Sequence, residues 1–81
     1  MQDVEELVLF IIKNLVDNKE VVEVSTLESN DEYTLDIRVS KDDISKVIGK
    51  KGKIINAVRS IVSLYSIKNN KKIFVEVKEL D

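Results

Sequence analysis

The sequence predicts a two-layer α+β domain with the element order α-β-β-α-α-β. Apolar residues recur at helical spacing in three segments and alternate at strand spacing in three others. The chain has 81 residues, and no Gly/Ser-rich linker, low-complexity tract or internal repeat divides it. We therefore expect one folded unit over residues 1–81.

The first predicted element is a helix over residues 3–17 with acidic residues in its first turn. Its apolar arc is wide, because it reaches from Phe10 around to Leu9 and leaves only a narrow polar edge. A helix that only covers one face of a sheet does not need so wide an arc. Either neighbouring loops cover the surplus, or this helix also contacts another protein chain.

Residues 20–28 and 33–40 are predicted to form two strands joined by a turn. The second strand alternates apolar and polar side chains, so one face of the sheet should contact solvent. The spacing of Ser40 and Asp43 predicts the start of a second helix, where each side chain would cap a backbone N–H of the other residue. This helix must be short because Gly49 interrupts it.

A third helix is predicted from Gly52. Over residues 53–65 the apolar side chains occupy one half of the helix, which indicates a single buried face. Residues 73–78 alternate as a last strand. A hairpin followed by a two-helix crossover favours a last strand parallel to the second, since right-handed crossovers return the chain beside its origin. We expect a three-stranded mixed sheet with the helices on one face.

Composition argues against an enzyme, a metal site and a cofactor. The chain has no cysteine and no histidine, so it has no thiolate ligand and lacks the commonest acid/base catalyst. We assign the adjacent carboxylates of Asp42 and Asp43 to helix capping, because sequence neighbours on a helix point about 100° apart. The longest apolar run, residues 7–12, is far below the roughly 20 residues that span a bilayer, so we expect a soluble, cytoplasmic protein.

Charge is segregated along the chain. Residues 1–36 carry ten acidic and two basic residues, a net charge of −8. Residues 37–81 carry five acidic and eleven basic residues, a net charge of +6. This division, which the total of −2 conceals, suggests a basic surface suited to phosphate on an otherwise acidic body.

The only two glycines of the chain, Gly49 and Gly52, enclose Lys50 and Lys51, and Lys53 follows directly. Glycine tolerates the backbone angles of a sharp turn and lets a ligand approach the main chain. The first N–H groups of the third helix have no intrahelical partner, and together with the lysines they favour an anion such as phosphate. The alternative is a turn between helices that uses glycine for geometry and lysine for solubility.

This segment resembles the signature of the KH domain, a module that binds RNA and single-stranded DNA: an aliphatic pair, G-x-x-G, and aliphatic residues on the next helix. The residues that carry the resemblance are Val47-Ile48-Gly49-Lys50-Lys51-Gly52-Lys53-Ile54-Ile55-Asn56-Ala57-Val58. The element order resembles the type II arrangement of the family. The length is similar to that of small bacterial proteins of the KhpA kind, which consist of one KH domain.

The resemblance implies that a groove holds about four nucleotides. Its phosphate-binding side would be formed by Gly49, Lys50, Lys51, Gly52 and Lys53, its apolar floor by Val47, Ile48 and Ile55, and its opposite wall by residues 73–75 with Lys71 and Lys72 beside it. Phe74 points away from Ile73 and Val75, which makes it the candidate for an exposed aromatic contact. Arg59 lies on the polar face of the third helix, one to two turns past the motif. It could reach a neighbouring phosphate or only help solubility, and we favour solubility.

We therefore expect a non-enzymatic protein that binds single-stranded RNA, with single-stranded DNA as a second candidate ligand. It would act as a homodimer, or with a second RNA-binding protein, in post-transcriptional regulation. Pairing matters because one such site binds weakly, at roughly 10⁻⁴–10⁻⁶ M. The alternative is a protein-interaction or assembly module, ribosome-associated or dimerising, in which contact with RNA is incidental.

Overall fold

The computed structural model describes residues 1–80 and has the predicted element order. The helices are α1 (Gln2–Lys13), α2 (Ile44–Ile48) and α3 (Lys53–Lys68). The strands are β1 (Glu23–Ser29), β2 (Glu32–Val39) and β3 (Lys72–Glu79). Short 3-10 turns at Lys19–Val21, Lys41–Asp43 and Lys50–Gly52 connect them. The predicted α+β fold class is confirmed.

The strands form one mixed sheet in the order β1-β2-β3. β1 and β2 are antiparallel, with Thr26 opposite Leu35, whereas β2 and β3 are parallel, with Leu35 opposite Val75. The parallel pair confirms the prediction made from the two-helix crossover. β3 is an edge strand, and α3 lies beside it, since Arg59 of α3 donates a hydrogen bond to the Val75 carbonyl at 3.4 Å.

The core lies between the helices and one face of the sheet. Leu35, Ile37 and Val39 of β2 are fully buried, and each such side chain contributes roughly 1.5–3 kcal/mol by leaving water. They pack in one cluster with Val4, Val8 and Ile12 of α1 and Ile55, Val58 and Val62 of α3. The opposite face of the sheet is mostly polar, as predicted, although Leu27 and Phe74 are exposed on it. Asp36 on that face is buried by its contacts with Arg38 at 2.8 Å and Lys78 at 3.5 Å.

Helix α1 ends at Lys13, four residues before the predicted end. The apolar periodicity does continue to Val16, which is buried. However, the backbone N–H groups of Asp17 and Asn18 donate to the side chain of Asp43, at 3.2 and 3.0 Å, so the chain leaves the helix. The predicted mutual cap of Ser40 and Asp43 is therefore wrong, because Ser40 makes no side-chain cap and the Asp43 carboxylate binds the end of the α1 segment instead.

Helix α3 does not have the single buried face that the sequence predicted. Leu64 is 70% exposed, and Ile61 is also exposed. On α1, Phe10 is 68% exposed and Leu7 is exposed as well, so within residues 1–80 no loop covers this surplus. The two helices are linked by a hydrogen bond from the Tyr65 hydroxyl to the Asp3 carboxylate at 2.8 Å. We name the outward side chains Leu7, Phe10, Ile61 and Leu64 the α1–α3 apolar face.

In the part of the chain that the structure describes, no helix has both the length and the apolar character to cross a bilayer.

Candidate nucleic-acid interface

Residues 49–52, here named the GKKG loop, join α2 to α3 through an unusual backbone. Gly49, Lys51 and Gly52 have φ angles of 78°, 57° and 75°, in the left-handed region that favours glycine. A Cβ atom on Gly49 would also lie 2.7 Å from Cγ1 of Ile54 and 2.9 Å from the backbone N of Ile54. A Cβ atom on Gly52 would meet nothing closer than 3.6 Å. Gly49 is thus required by φ and by space, and Gly52 by φ alone.

The side chains of Lys50, Lys51 and Lys53 are exposed around this turn. Within residues 1–80, none of their ammonium groups lies within 4.0 Å of a carboxylate oxygen. Gly52 caps α3 without a side-chain hydrogen bond, and the Lys53 N–H donates to the Lys50 carbonyl. The N–H groups that follow in the first turn of this 16-residue helix have no carbonyl partner within α3. Positive charge and the N–H donors of this first turn together favour an anion.

The residues predicted as the apolar floor lie directly under the loop, but at different depths. Val47 is fully buried and Ile55 is 4% exposed, and both belong to the core. Ile48 is only half-buried. A base resting beside the loop would therefore contact mainly Ile48, while Val47 and Ile55 hold the two helices in place.

Helix α2 has only five residues, too few to be stable without tertiary contacts, and Asp43 supplies them. The carboxylate of Asp43 is fully buried and accepts hydrogen bonds from the backbone N–H groups of Asn18 and Asp17, the Asn18 amide, and the Lys46 ammonium group at 3.2 Å. Lys46 also contacts the Asp17 carboxylate at 2.6 Å. We name these four residues the Asp43 anchor.

The Asp43 anchor lowers the pKa of the Asp43 carboxyl from 3.8 to about 2. The hydrogen bond from the Asn18 N–H is the main cause, and the bonds from Asp17 and Lys46 add to it, whereas burial acts in the opposite direction. Asp43 is therefore ionised at neutral pH and ties the start of α2 to the end of the α1 segment. This attachment fixes the position of the GKKG loop at the other end of α2.

Lys71 and Lys72 lie at the far end of α3 from the loop. The 16 residues of α3 span about 24 Å at a rise of about 1.5 Å per residue, so the structure does not bring these lysines together with Lys50 and Lys51. The Lys71 ammonium group lies 4.8 Å from the centre of the Tyr33 ring, and that of Lys72 lies 3.4 Å from a Glu32 carboxylate oxygen. They mark the other end of the groove between α3 and the outer edge of β3.

Arg59 is a candidate site residue that the sequence analysis assigned to solubility in preference to contact with phosphate. Its guanidinium group donates to the Asn56 side chain at 3.2 Å and to the Val75 carbonyl at 3.4 Å, so it lies across the groove between α3 and β3. A signal was present in the sequence, because Asn56, Arg59, Ser63 and Ser66 recur at spacings of three and four and share one helix face. Its significance depends on β3 lying beside that face.

Within the described range 1–80, no group of three or more Asp, Glu, His or Cys side chains is arranged to hold a metal ion. Asp43 is one of the two adjacent carboxylates considered in the sequence. Both of its oxygens already accept hydrogen bonds within the Asp43 anchor. Asp42 next to it is exposed. The groups around the GKKG loop are backbone N–H donors and ammonium groups. These groups can bind phosphate, whereas a metal ion would need acidic ligands in this chain.

A G-x-x-G turn between two helices, beside a sheet of the order β1-β2-β3 with a parallel last strand, defines a type II KH domain. A model of the KhpA/KhpB KH-domain family matches residues 5–77, and the chain belongs to this family. The predicted family is confirmed. KH domains bind nucleic acids and carry no catalytic site, so the prediction that the chain is not an enzyme is confirmed with the family.

Curated bacterial proteins are similar to the chain over nearly its whole length. The RNA-binding protein KhpA of Clostridium perfringens is 44% identical over 73 residues, which cover 90% of this chain and 97% of the relative. That of Listeria monocytogenes is 44% identical over 75 residues, which cover 93% and 99%. That of Borreliella burgdorferi is 35% identical over 72 residues, which cover 89% and 88%.

Proposed function

We propose that this chain is a non-enzymatic, cytoplasmic protein that binds single-stranded RNA through the GKKG loop and the groove along β3. The main support is the set of three exposed lysines that have no carboxylate partner within residues 1–80, placed at the N-terminus of α3. The relatives from Clostridium and Listeria are named RNA-binding proteins, which supports the same ligand. Single-stranded DNA carries the same phosphates and is a second candidate.

In the proposed complex, Gly49 and Gly52 let the RNA backbone approach the main chain, and Lys50, Lys51 and Lys53 neutralise phosphates. A base would rest on Ile48, above Val47 and Ile55. Lys71 and Lys72 would contact a longer strand at the far end of the groove. Three or four neutralised phosphates give affinity of roughly 10⁻⁴–10⁻⁶ M, which falls with salt at a log-log slope of about −2 to −3.

Such weak binding favours pairing of domains, and the α1–α3 apolar face provides a surface for it. Phe10 and Leu64 on this face are both exposed for more than two thirds of their area, at 68% and 70%. We propose that the chain forms a homodimer or a complex with a second RNA-binding protein. Linkage of two sites would raise avidity by about 10²–10⁴ and make the protein useful in post-transcriptional regulation.

The test of this function is the affinity of a labelled, unstructured RNA octamer, measured by fluorescence anisotropy for a Lys50→Asp, Lys51→Asp double variant. We expect the affinity to fall at least about tenfold in about 50 mM salt, because two phosphate contacts become repulsive. The salt slope should also become shallower by about 1.4, at about 0.7 for each lost contact. Circular dichroism should show an unchanged fold, since these side chains are exposed.

The matched control is a Lys13→Asp, Lys19→Asp double variant, which changes the net charge equally but lies outside the proposed site. It should bind RNA nearly as well as the wild-type protein. Equal loss of binding in both double variants would show that net charge, and not the GKKG loop, is responsible. That result would remove the main support for the proposed site.

A second candidate function is a protein-interaction or assembly module, ribosome-associated or dimerising, with incidental RNA contact. The α1–α3 apolar face favours it, because apolar side chains on two neighbouring helices suit a protein partner. The same variants separate the two functions. If the chain is an assembly module, the Lys50→Asp, Lys51→Asp variant should bind RNA with the same affinity as the wild-type protein.

A further inference from the structure

Phe74 lies on the open face of the sheet, at its β3 edge, and its ring is 45% exposed. The β3 side chains on either side of it, Ile73 and Val75, point to the helices and are half-buried and buried. The cross-strand partner of Phe74 on β2 is Thr34. About half of this large aromatic ring at the sheet edge is thus exposed to solvent. Packing of the core does not explain an aromatic residue at this position.

Two basic residues, Lys72 and Arg59, lie near this ring. The ammonium group of Lys72 lies 5.6 Å from the ring centre, and the guanidinium group of Arg59 is held at the adjacent Val75 carbonyl, at 3.4 Å. Within residues 1–80, no carboxylate oxygen lies within 4.0 Å of the Arg59 guanidinium. Two acidic residues lie near these groups: Glu76, 3.5 Å from the Lys78 ammonium group, and Glu32, 3.4 Å from that of Lys72.

A cavity of about 590 Å³ connects these groups. Its lining includes Arg59, Ser63 and Ser66 from the polar face of α3, and Phe74, Val75 and Thr34 from the sheet. The volume is in the range of small-ligand sites. Arg59 follows Gly52 by seven residues on α3, about 10 Å along the helix, so the cavity continues the groove that begins at the GKKG loop.

We propose that Phe74 and Arg59 form a second RNA subsite, in which an unpaired nucleobase stacks on the Phe74 ring and the adjoining phosphate contacts the Arg59 guanidinium. The inference rests on the function proposed above and extends it past the loop. An aromatic ring beside basic groups is the combination that binds single strands, because any base can stack and the cations hold the backbone. The subsite would favour strands longer than the loop alone can hold.

The chain has no tryptophan, so a Phe74→Trp variant carries one fluorophore at the proposed subsite. Titration with oligoadenylate and oligouridylate octamers should quench its emission with the same midpoint as the anisotropy signal. The control is Leu27→Trp, which is exposed on the same sheet face but two strands away, on β1. Its emission should stay constant, since the two strand spacings place it about 10 Å from the ring.

A Phe74→Leu variant keeps an apolar side chain and removes the ring. We expect it to bind octamers about tenfold more weakly, because the stacking of one base is lost. Its melting temperature should be unchanged. Its affinity for tetramers held at the loop should change little.

Three outcomes would overturn the inference. If the emission of the Phe74→Trp variant is not quenched and Phe74→Leu binds octamers like the wild type, while the Lys50→Asp, Lys51→Asp variant loses binding, the subsite is absent and the proposed function stands. Equal quenching in both single-tryptophan variants means that RNA coats the open face without a defined subsite. If the wild-type protein binds neither octamer in low salt, the proposed function and the subsite both fail.

Discussion

Two charged clusters lie at opposite ends of α2, and they differ in what their charges contact. At the start of the helix, the Asp43 anchor brings Asp43, Lys46 and Asp17 within 3.2 Å of one another. At the other end, Lys50 and Lys51 are exposed, and no carboxylate of residues 1–80 lies within 4.0 Å of their ammonium groups. The helix between the clusters has only five residues.

The difference separates the charges that stabilise the fold from those that are free to bind. A lysine near the N-terminus of a helix is unfavourable, because it faces the positive end of the helix dipole. The loop lysines therefore do not stabilise the folded protein through an ion pair within residues 1–80, whereas a bound phosphate would offset their repulsion from the helix dipole. The anchor has the opposite character, since its partners are all within the protein.

The largest expected effect is on stability, from the substitution Asp43→Ala. It leaves two backbone N–H groups without their acceptor and removes the tie between α2 and the α1 segment. We expect the melting temperature to fall by roughly 15 °C or more, measured by circular dichroism. RNA affinity at a temperature where the variant is folded should fall too, because the GKKG loop loses its support.

Asp42→Ala is the matched control, since Asp42 is the adjacent carboxylate and is exposed. Its melting temperature should stay within roughly 3 °C of the wild-type value. Comparable losses in the two variants would contradict the distinction between a buried anchor and a solvated neighbour.

A second loss of stability is expected at the loop from Gly49→Ala, compared with Gly52→Ala. Both positions have positive φ, which costs roughly 1–2 kcal/mol for a residue with a Cβ atom. At Gly49 the new Cβ would also lie 2.7 Å from the Ile54 side chain, so we expect a loss of roughly 3 kcal/mol there and roughly 1 kcal/mol at Gly52. Urea unfolding measures both. Equal losses of unfolding free energy in the two variants would show that the Ile54 side chain moves away from the new Cβ atom without cost.

Much of the fold could be predicted because it depends on local spacing. The alternation of β2 and the helical period of α3 are visible within a few residues, and the parallel pairing of β2 with β3 follows from connection handedness. The end of α1 could not be predicted in this way. It depends on hydrogen bonds from Asp17 and Asn18 to Asp43, which is 26 and 25 residues away in sequence.

The candidate site shows the same division. The GKKG loop is contiguous, so its glycines and lysines were visible together in the sequence. The spacing of Ser40 and Asp43 resembled a capping box, and only the structure shows that Asp43 turns to Asn18 instead. Arg59 lies in the groove because β3 runs beside its helix face and the Val75 carbonyl accepts its hydrogen bond. The sequence of α3 alone does not specify the position of β3.

The last of these effects is the acid dependence of stability, which tests the anchor in the wild-type protein without a substitution. The pKa of Asp43 is about 2 in the folded protein and 3.8 ordinarily, so the stability that its charge provides is fully present above pH 3.8 and is lost as the pH falls through 2. Urea unfolding between about pH 5 and pH 2 should show this loss. Asp3 and Asp36 also have lowered pKa values, so the wild-type curve contains their contributions. Asp43→Asn removes the titration and keeps one oxygen acceptor, but its amide NH2 faces two of the donors, so the variant should be less stable than the wild type at neutral pH. Its stability should change less over this range, and parallel curves would mean that Asp43 is no more acidic in the folded chain than in the unfolded one.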